Sequence, residues 1–183
     1  SVLNQLEDYS KSINLSDKDV IISWLPLYHD MGLIACFMLP LLEKVPLVMM
    51  DPFEWVANPR MLLEHIEKNK ATLCWLPNFA FNLMARCIDT ETERYELSSM
   101  RAFIDCSEPC KAHSFQMFHE AFRKYGIKME AMQTCYAMAE NVFGITQSEM
   151  EKKVKVDYID MHELAQRHYA KKAAEGSKDA VSF

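Results

Sequence analysis

The sequence predicts an α/β fold, a three-layer sandwich with a mostly parallel sheet covered by helices on both faces. Three observations carry this reading. Apolar runs rich in β-branched and aromatic residues alternate with segments of helical period. Several runs, such as Val20-Ile21-Ile22 and Leu47-Val48-Met49-Met50, are apolar on both faces, as strands buried between two helical layers must be. Proline stands where strands end or helices begin, at Leu25-Pro26, Asp51-Pro52, Asn58-Pro59, Leu76-Pro77 and Glu108-Pro109. The repeated β-α order makes the strands parallel.

In chain order the strand segments are Asp19–Leu25, Pro46–Met50, Ala71–Leu76, Arg101–Cys106, Lys128–Thr134 and Asn141–Gln147. Between them Met61, Leu62, His65 and Ile66 share one helical face, and Phe115, Phe118 and Phe122 share another. From Glu149 to Lys178, six acidic and seven basic residues fall within thirty. This denser, balanced mixture reads as a charged surface insertion. Within it Met161 to Ala174 is expected to form a short amphipathic helix with Leu164, His168 and Tyr169 turned inward. The organisation is thus an α/β unit over 1–148, a charged insertion over 149–178 packed on or beside it, and the start of a further strand over 179–183.

With 183 residues, 50% hydrophobic and 25% charged, the chain is long enough for one complete core, which excludes disordered, collagen-like and disulfide-scaffold classes. A net charge of −6 offers no field for a phosphate backbone and argues against nucleic-acid or anionic-membrane partners. The longest apolar run, Met31 to Leu42, is too short to span a bilayer and is interrupted by Pro40. No signal peptide is visible. Six cysteines without a CxxC pair read as reduced thiols of a cytoplasmic protein. Cys106, Cys110 and His113 lack a second ligand pair of zinc-finger spacing. The chain enters a helix-like segment directly at Ser1, which suggests a piece of a longer protein.

In an open parallel sheet, ligands bind outside the carboxyl ends of the strands. The loops of interest are therefore Leu25–Gly32, Asp51–Pro59, Leu76–Phe81, Cys106–Cys110 and Cys135–Glu140. Gly32, Gly126, Gly144 and Gly176 are the only glycines, so no glycine-rich loop can cradle a triphosphate, and there is no GxSxG or HExxH motif. Polar residues gather at three strand ends. Glu140 is either a magnesium ligand that joins substrate phosphates or a solvated glutamate at a helix start. Tyr136 offers a flat face for a base to stack upon, or is a half-buried aromatic at a strand end. His29 is an acid, a base or a pocket wall, the last favoured where no partner fixes it. Asp30 caps the helix that begins near Met31.

The string Ser23-Trp24-Leu25-Pro26-Leu27-Tyr28-His29-Asp30-Met31-Gly32-Leu33-Ile34 resembles a signature of the fatty acyl-AMP ligases, a branch of the adenylate-forming enzymes. Met50-Asp51-Pro52-Phe53, Asn58-Pro59, Ala71-Thr72, Pro77-Asn78-Phe79-Ala80-Phe81, Leu97-Ser98-Ser99-Met100-Arg101, Ser107-Glu108-Pro109 and Tyr136-Ala137-Met138-Ala139-Glu140 resemble its later blocks in the same order. The resemblance covers about Val20 to Gln147 and, more loosely, the tail.

It implies a two-step reaction with ATP and Mg2+. A fatty acid carboxylate attacks the α-phosphate of ATP to give acyl-adenylate and pyrophosphate, and the acyl group then passes to an acyl carrier protein's phosphopantetheine thiol. By the same resemblance Tyr136 lies against adenine, Ser107, Glu108 and Pro109 border it, and Ala139 stands beside the α-phosphate. Glu140 coordinates magnesium and acts with His29 in the catalytic centre. The acyl pocket falls to His29, Asp30, Gly32, Asn78 and Phe79. Three departures qualify this. Ala137 replaces a glycine, at a cost of about 1 kcal/mol if the position needs a positive φ. Ala139 replaces the threonine of acyl-CoA ligases, as is common in the acyl-AMP branch. Asp105-Cys106-Ser107 replaces the more usual Asn-Gly-Ala.

The family's phosphate loop would precede Ser1, and its ribose-binding aspartate, hinge and catalytic lysine would follow Phe183. The resemblance therefore implies the second α/β subdomain of a larger ligase, inactive alone and dependent on the missing subdomains of the parent chain. Acyl-AMP ligases carry an extra insertion after the Tyr-x-x-x-Glu block that restrains the C-terminal domain, and 149–178 corresponds to it. The alternatives are an acyl-CoA or aryl-CoA ligase, and a non-catalytic lipid- or adenylate-binding homologue.

Overall fold

A computed structural model describes residues 1–174, 177 and 180–182. Positions 175, 176 and 178 of the expected insertion, and 179 and 183 of the expected further strand, lie outside the described residues. Six strands form the main sheet: β1 (Ile21–Ser23), β2 (Leu47–Met49), β3 (Leu73–Leu76), β4 (Ala102–Asp105), β5 (Met132–Ala137) and β6 (Gly144–Gln147). Their order is β2-β1-β3-β4-β5-β6. The first five are parallel neighbours, and β6 returns antiparallel to β5. Helices flank this mostly parallel sheet, so the fold class is the expected one.

The sheet is apolar on both faces because both are covered. β1, β3 and β4 are buried at every position. Helix α1 (Val2–Ser12), a π-helix (Met31–Met38) and α2 (Leu39–Glu43) pack together beside the sheet. After α3 (Pro52–Ala57) and α4 (Arg60–Asn69) come α5 (Asn78–Cys87) and α6 (Ala112–Phe122), which pack on each other. Between them and β4 runs an aromatic chain of Phe81, Phe115, Phe118, Phe103 and Phe122, ring to ring at 4.7–5.2 Å. On the other side Tyr9 of α1 lies under Gly144, where an added Cβ would come within 2.9 Å of its ring. Its hydroxyl accepts from Trp75 Nε1 (2.8 Å) and donates to Gln147 Oε1 (2.9 Å).

The strands are shorter than expected at most of their ends, and β5 and β6 depart furthest from expectation. The segment expected from Lys128 starts as a strand only at Met132, because Met129–Ala131 forms a 3₁₀ turn. It then runs on to Ala137, since the antiparallel partner β6 continues the ladder through Cys135↔Gln147 and Tyr136↔Thr146. The expected loop Cys135–Glu140 is thus half strand. Likewise β6 begins at Gly144, because Ala139–Asn141 forms another 3₁₀ turn.

The charged segment is fastened to the sheet. Gln133 Nε2 donates to the Lys152 carbonyl (2.8 Å), Arg101 pairs with Glu151 (3.3 Å), and Met150 is buried. Strand β7 (Tyr158–Asp160) then pairs antiparallel with β8 (Ala180–Ser182). Helix α7 (Met161–Arg167) is shorter than expected and stops where His168 turns left-handed (φ 51°). Leu164 is half-buried, but His168 and Tyr169 are exposed rather than inward, because the chain turns there and Ala173 donates back to the Tyr158 carbonyl (2.8 Å).

Candidate functional site

At the carboxyl edge of the sheet, the ends of β4 and β5 splay around a cavity of about 550 Å³. Ser107, Glu108, Pro109 and Cys110 form one wall. Thr134, Cys135, Tyr136 and Ala137 form the facing one, with Ala112, Phe115, Val154, Lys155 and Val156 around them. Tyr136 is 60% exposed although it sits in a strand. An aromatic face left open against a concave, mostly apolar surface is suited to a flat heterocycle.

The Ser107 wall is held from behind. Glu108 Oε2 accepts from the backbone N–H of Phe79 (3.1 Å), placing a carboxylate at the N-terminus of α5 where the helix dipole favours it. Ser107 adopts φ 72°, a left-handed conformation uncommon outside glycine and asparagine. Its hydroxyl faces Met31 Sδ at 3.7 Å, which ties this loop to the start of the π-helix.

Asp105, the last residue of β4, is fully buried. Its Oδ2 accepts from Asn78 Nδ2 (2.6 Å), whose Oδ1 accepts from the Ser114 hydroxyl (2.9 Å). The other oxygen, Oδ1, has no partner. Burial pushes the Asp105 carboxyl up to about 7, against the lowering effect of hydrogen bonds from Asn78 and Cys110, and nearby Glu108 adds to the rise. Near neutrality this group is balanced between acid and anion.

The His29 loop follows β1. His29 Nδ1 lies 2.8 Å from Asp30 Oδ1, so the imidazole has the fixed partner that the sequence alone did not reveal. Asp30 also accepts from the Met31 N–H (2.9 Å), at the expected helix start. The helix is a π-helix, a form concentrated at functional sites. Gly32 is packed so closely that an added Cβ would lie 2.2 Å from the Pro26 carbonyl oxygen.

The structure separates the expected acyl-pocket residues. Asn78 is buried in the Asp105 and Ser114 network. Phe79 stays exposed and meets the stacked Trp24–Trp55 pair edge-on at 6.2 and 6.3 Å. Glu140 and Ala139 also stand away from the main cavity. Both are exposed on the turn between β5 and β6, where Glu140 borders a depression beside α1 with Asn4, Gln5 and Asp8. That turn is strained at Val142 (φ 72°, ψ −53°), close to the unfavourable γ-turn geometry. Ala137 is not in the left-handed region, so the alanine that replaces glycine there carries no φ penalty.

Thr134 and Val154–Val156 were not singled out in the sequence, and Asp105 entered only as part of the Asp105-Cys106-Ser107 departure. Thr134 was within reach, since alternation along a strand puts it on the face of Tyr136. The others depended on tertiary packing. Among the described residues no three His, Cys, Asp or Glu side chains converge as a metal cage.

The AMP-binding enzyme family model matches residues 1–161. The crystal structure of a fatty acid AMP ligase from Legionella pneumophila superposes with a TM-score of 0.93 at 32% identity, covering 99% of this chain and 32% of that one. A fatty acyl-adenylate ligase from L. pneumophila in complex with acyl adenylate and pyrophosphate gives 0.92 at 32% identity, with 99% and 32% covered. A medium-chain-fatty-acid–[acyl-carrier-protein] ligase from Teredinibacter turnerae is 32% identical over 78% of this chain and 22% of its own length. The chain spans about 30% of the length of the curated relatives it matches.

Proposed function

The chain belongs to the AMP-binding enzyme family, and on that premise we propose that it is the substrate-binding subdomain of a fatty acyl-AMP ligase. Such an enzyme activates a fatty acid with ATP to acyl-adenylate and passes the acyl group to the phosphopantetheine thiol of an acyl carrier protein. The observation that carries this reading is the cavity at the strand ends, where the open face of Tyr136 stands across from Ser107, Glu108 and Pro109. Adenine fits between these walls, stacked on Tyr136. The Ser107–Pro109 edge reads it through backbone groups held in place by Glu108 and Phe79.

Glu140 fits a magnesium ion of the kind held by one carboxylate plus substrate phosphates, since it is exposed and belongs to no metal cage of its own. A magnesium ion held by Glu140 would supply charge neutralisation at the substrate phosphates. His29, oriented by Asp30, stands at the entrance for that carboxylate. Phe79 on its Trp24–Trp55 base supplies apolar wall for the acyl chain. Catalysis on this plan is positioning and charge stabilisation, with no covalent enzyme intermediate.

The carrier-protein acceptor is supported by the stated activity of the T. turnerae relative. The charged segment that begins at Glu149 is assigned the restraint of a mobile C-terminal domain, which disfavours coenzyme A. The exposed aromatics Tyr28, on the loop after β1, and Phe53 and Phe79, in the first turns of α3 and α5, suit contact with the remaining subdomains.

The test uses the full-length ligase carrying this chain, with ATP, magnesium and a panel of fatty acids, with and without coenzyme A, read by mass spectrometry. Acyl-adenylate should accumulate and acyl-CoA should not. Tyr136→Ala should raise the KM for ATP by about 5- to 150-fold, as loss of one base stack of about 1–3 kcal/mol requires, while Tyr136→Phe should stay near wild type. Efficient acyl-CoA formation would move the enzyme to the CoA branch, and absence of both products would overturn the reading.

A further inference from the structure

Two thiols face each other beneath the walls of the cleft. Asp105 and Thr134 are paired in register on β4 and β5, and the next residue along each parallel strand is a cysteine, Cys106 and Cys135. Neighbouring strands lie about 4.7–4.9 Å apart and side chains alternate between faces, so these two point the same way. Continuing that spacing by one residue puts the two Cα atoms within the window of about 4.4–6.8 Å that a disulfide spans. Each thiol shifts the other's pKa, Cys106 downward and Cys135 upward, as close neighbours do. Cys106 precedes Ser107 on one wall, and Cys135 precedes Tyr136 on the other and itself lines the cavity. Both are buried free thiols for which the ligase chemistry has no use.

We propose that Cys106 and Cys135 are a peroxide-sensitive dithiol whose oxidation to a disulfide ties the two walls of the cleft together and lowers its affinity for nucleotide. The effect on nucleotide rests on the ligase reading, whereas the oxidation site does not.

Of the two thiols, Cys106 is the more acidic. The hydrogen bond from Cys135 lowers its pKa, as do those from the Ser107 hydroxyl and amide, against the opposing effect of burial. The same bond, with burial, keeps the Cys135 thiol protonated. The Cys106 thiolate attacks one oxygen of hydrogen peroxide, the O–O bond breaks, and the departing hydroxide takes a proton to become water. This leaves a sulfenic acid on Cys106. The Cys135 sulfur then attacks the Cys106 sulfur, the S–O bond breaks, and the thiol proton leaves with the hydroxyl as a second water. Two thiols lose two electrons and two protons, and one peroxide becomes two waters. A cross-link between adjacent parallel strands departs from relaxed disulfide geometry and is readily reduced by cellular thiols, so the step is reversible. The other thiols lack this arrangement. Cys87 is exposed, and Cys36 and Cys74 are held protonated by burial.

The test treats the full-length ligase carrying this chain with graded hydrogen peroxide, blocks remaining thiols with N-ethylmaleimide, and maps peptides without reduction. Cys106 should be joined to Cys135, with a mass loss of two hydrogens that dithiothreitol restores. The link should persist in Cys110→Ser, which removes the other cysteine of the same tryptic peptide. In Cys135→Ser, dimedone should trap a sulfenic acid on Cys106. ATP affinity of the oxidised ligase should fall at least tenfold and recover on reduction. Alkylation of both Cys106 and Cys135, with oxidation confined to Cys87, would overturn the site. A link that leaves ATP affinity unchanged would overturn the control. If the reduced full-length ligase binds no ATP, the nucleotide half falls together with the ligase reading, while the cross-link is still decided by mass.

Discussion

The two edges of the main sheet are built on opposite principles. At the amino edge, before β1, β3 and β4, Asp19 receives two contacts from Arg101 Nη1 (2.7 and 2.8 Å), a bond from the Thr72 hydroxyl (2.7 Å) and the Ser16 amide (2.9 Å). Burial pushes the Asp19 carboxyl up, but the bonds from Arg101, Thr72 and Ser16 outweigh it and hold the group below its ordinary range. Every lone pair has a use. At the carboxyl edge Asp105 keeps an orphaned oxygen and a raised pKa, Ser107 and Val142 hold unfavourable backbone angles, and Tyr136 leaves its ring in solvent. One edge is satisfied and the other is left with unspent bonding capacity. That is the division expected when one end of a sheet maintains the fold and the other meets ligands.

Arg101→Ala is the severest way to break this contrast. It strands the buried Asp19 charge, and chemical denaturation at pH 7 should show a loss of about 3–5 kcal/mol. Because the Asp19 pKa is depressed, the stability its carboxylate contributes is present above the unfolded pKa and is lost as pH falls through the folded value. The variant should therefore show a weaker acid dependence.

Asp105 works with the opposite sign. Its folded pKa is raised to about 7, so between about 4 and 7 the native state binds more protons than the unfolded one. Stability falls across that window and is flat above it. Asp105→Asn should gain about 4 kcal/mol at pH 8, following the size of the shift, and should flatten the slope between pH 4 and 7. An unchanged slope would return the pH dependence to other groups.

Gly32→Ala probes whether the His29 loop depends on close backbone approach. The new methyl would meet the Pro26 carbonyl, and thermal melts should report a loss of about 1–3 kcal/mol. The smallest effect is expected from Val142→Gly. It relieves the strained angle beside Glu140 and, after the entropy cost of glycine, should stabilise by about 1 kcal/mol in denaturant titration. A destabilised variant would mean that valine packing outweighs the strain.

What the sequence revealed follows the same division. Val20 to Ile22 and Leu73 to Leu76 announce parallel core strands because covered strands must be apolar on both faces, and that constraint is local. Tyr136, Ser107 and Glu108 could be placed at one site because all follow from strand ends in a parallel sheet. The extension of β5 to Ala137 could not be seen, since it depends on pairing with β6. Nor could Asp105, whose meaning lies in what Asn78 and Ser114 do with its oxygens. The amphipathic pattern after Met161 suggested a longer helix, but pairing of the chain with β7 past His168 outcompeted the periodicity.

Tyr9 has a bearing on the order in which the molecule assembles. Its hydroxyl reaches Gln147, 138 residues away along the chain, whereas β5 and β6 pair across a short turn. Closing so long a loop is entropically the costlier event and is rewarded only when the hairpin is already in place. Helix α1, although it precedes every strand of the sheet in sequence, is thus among the last elements to dock. Tyr9→Phe should accelerate unfolding and leave the folding rate unchanged, so the beginning of the chain acts as the latch that closes over the finished sheet.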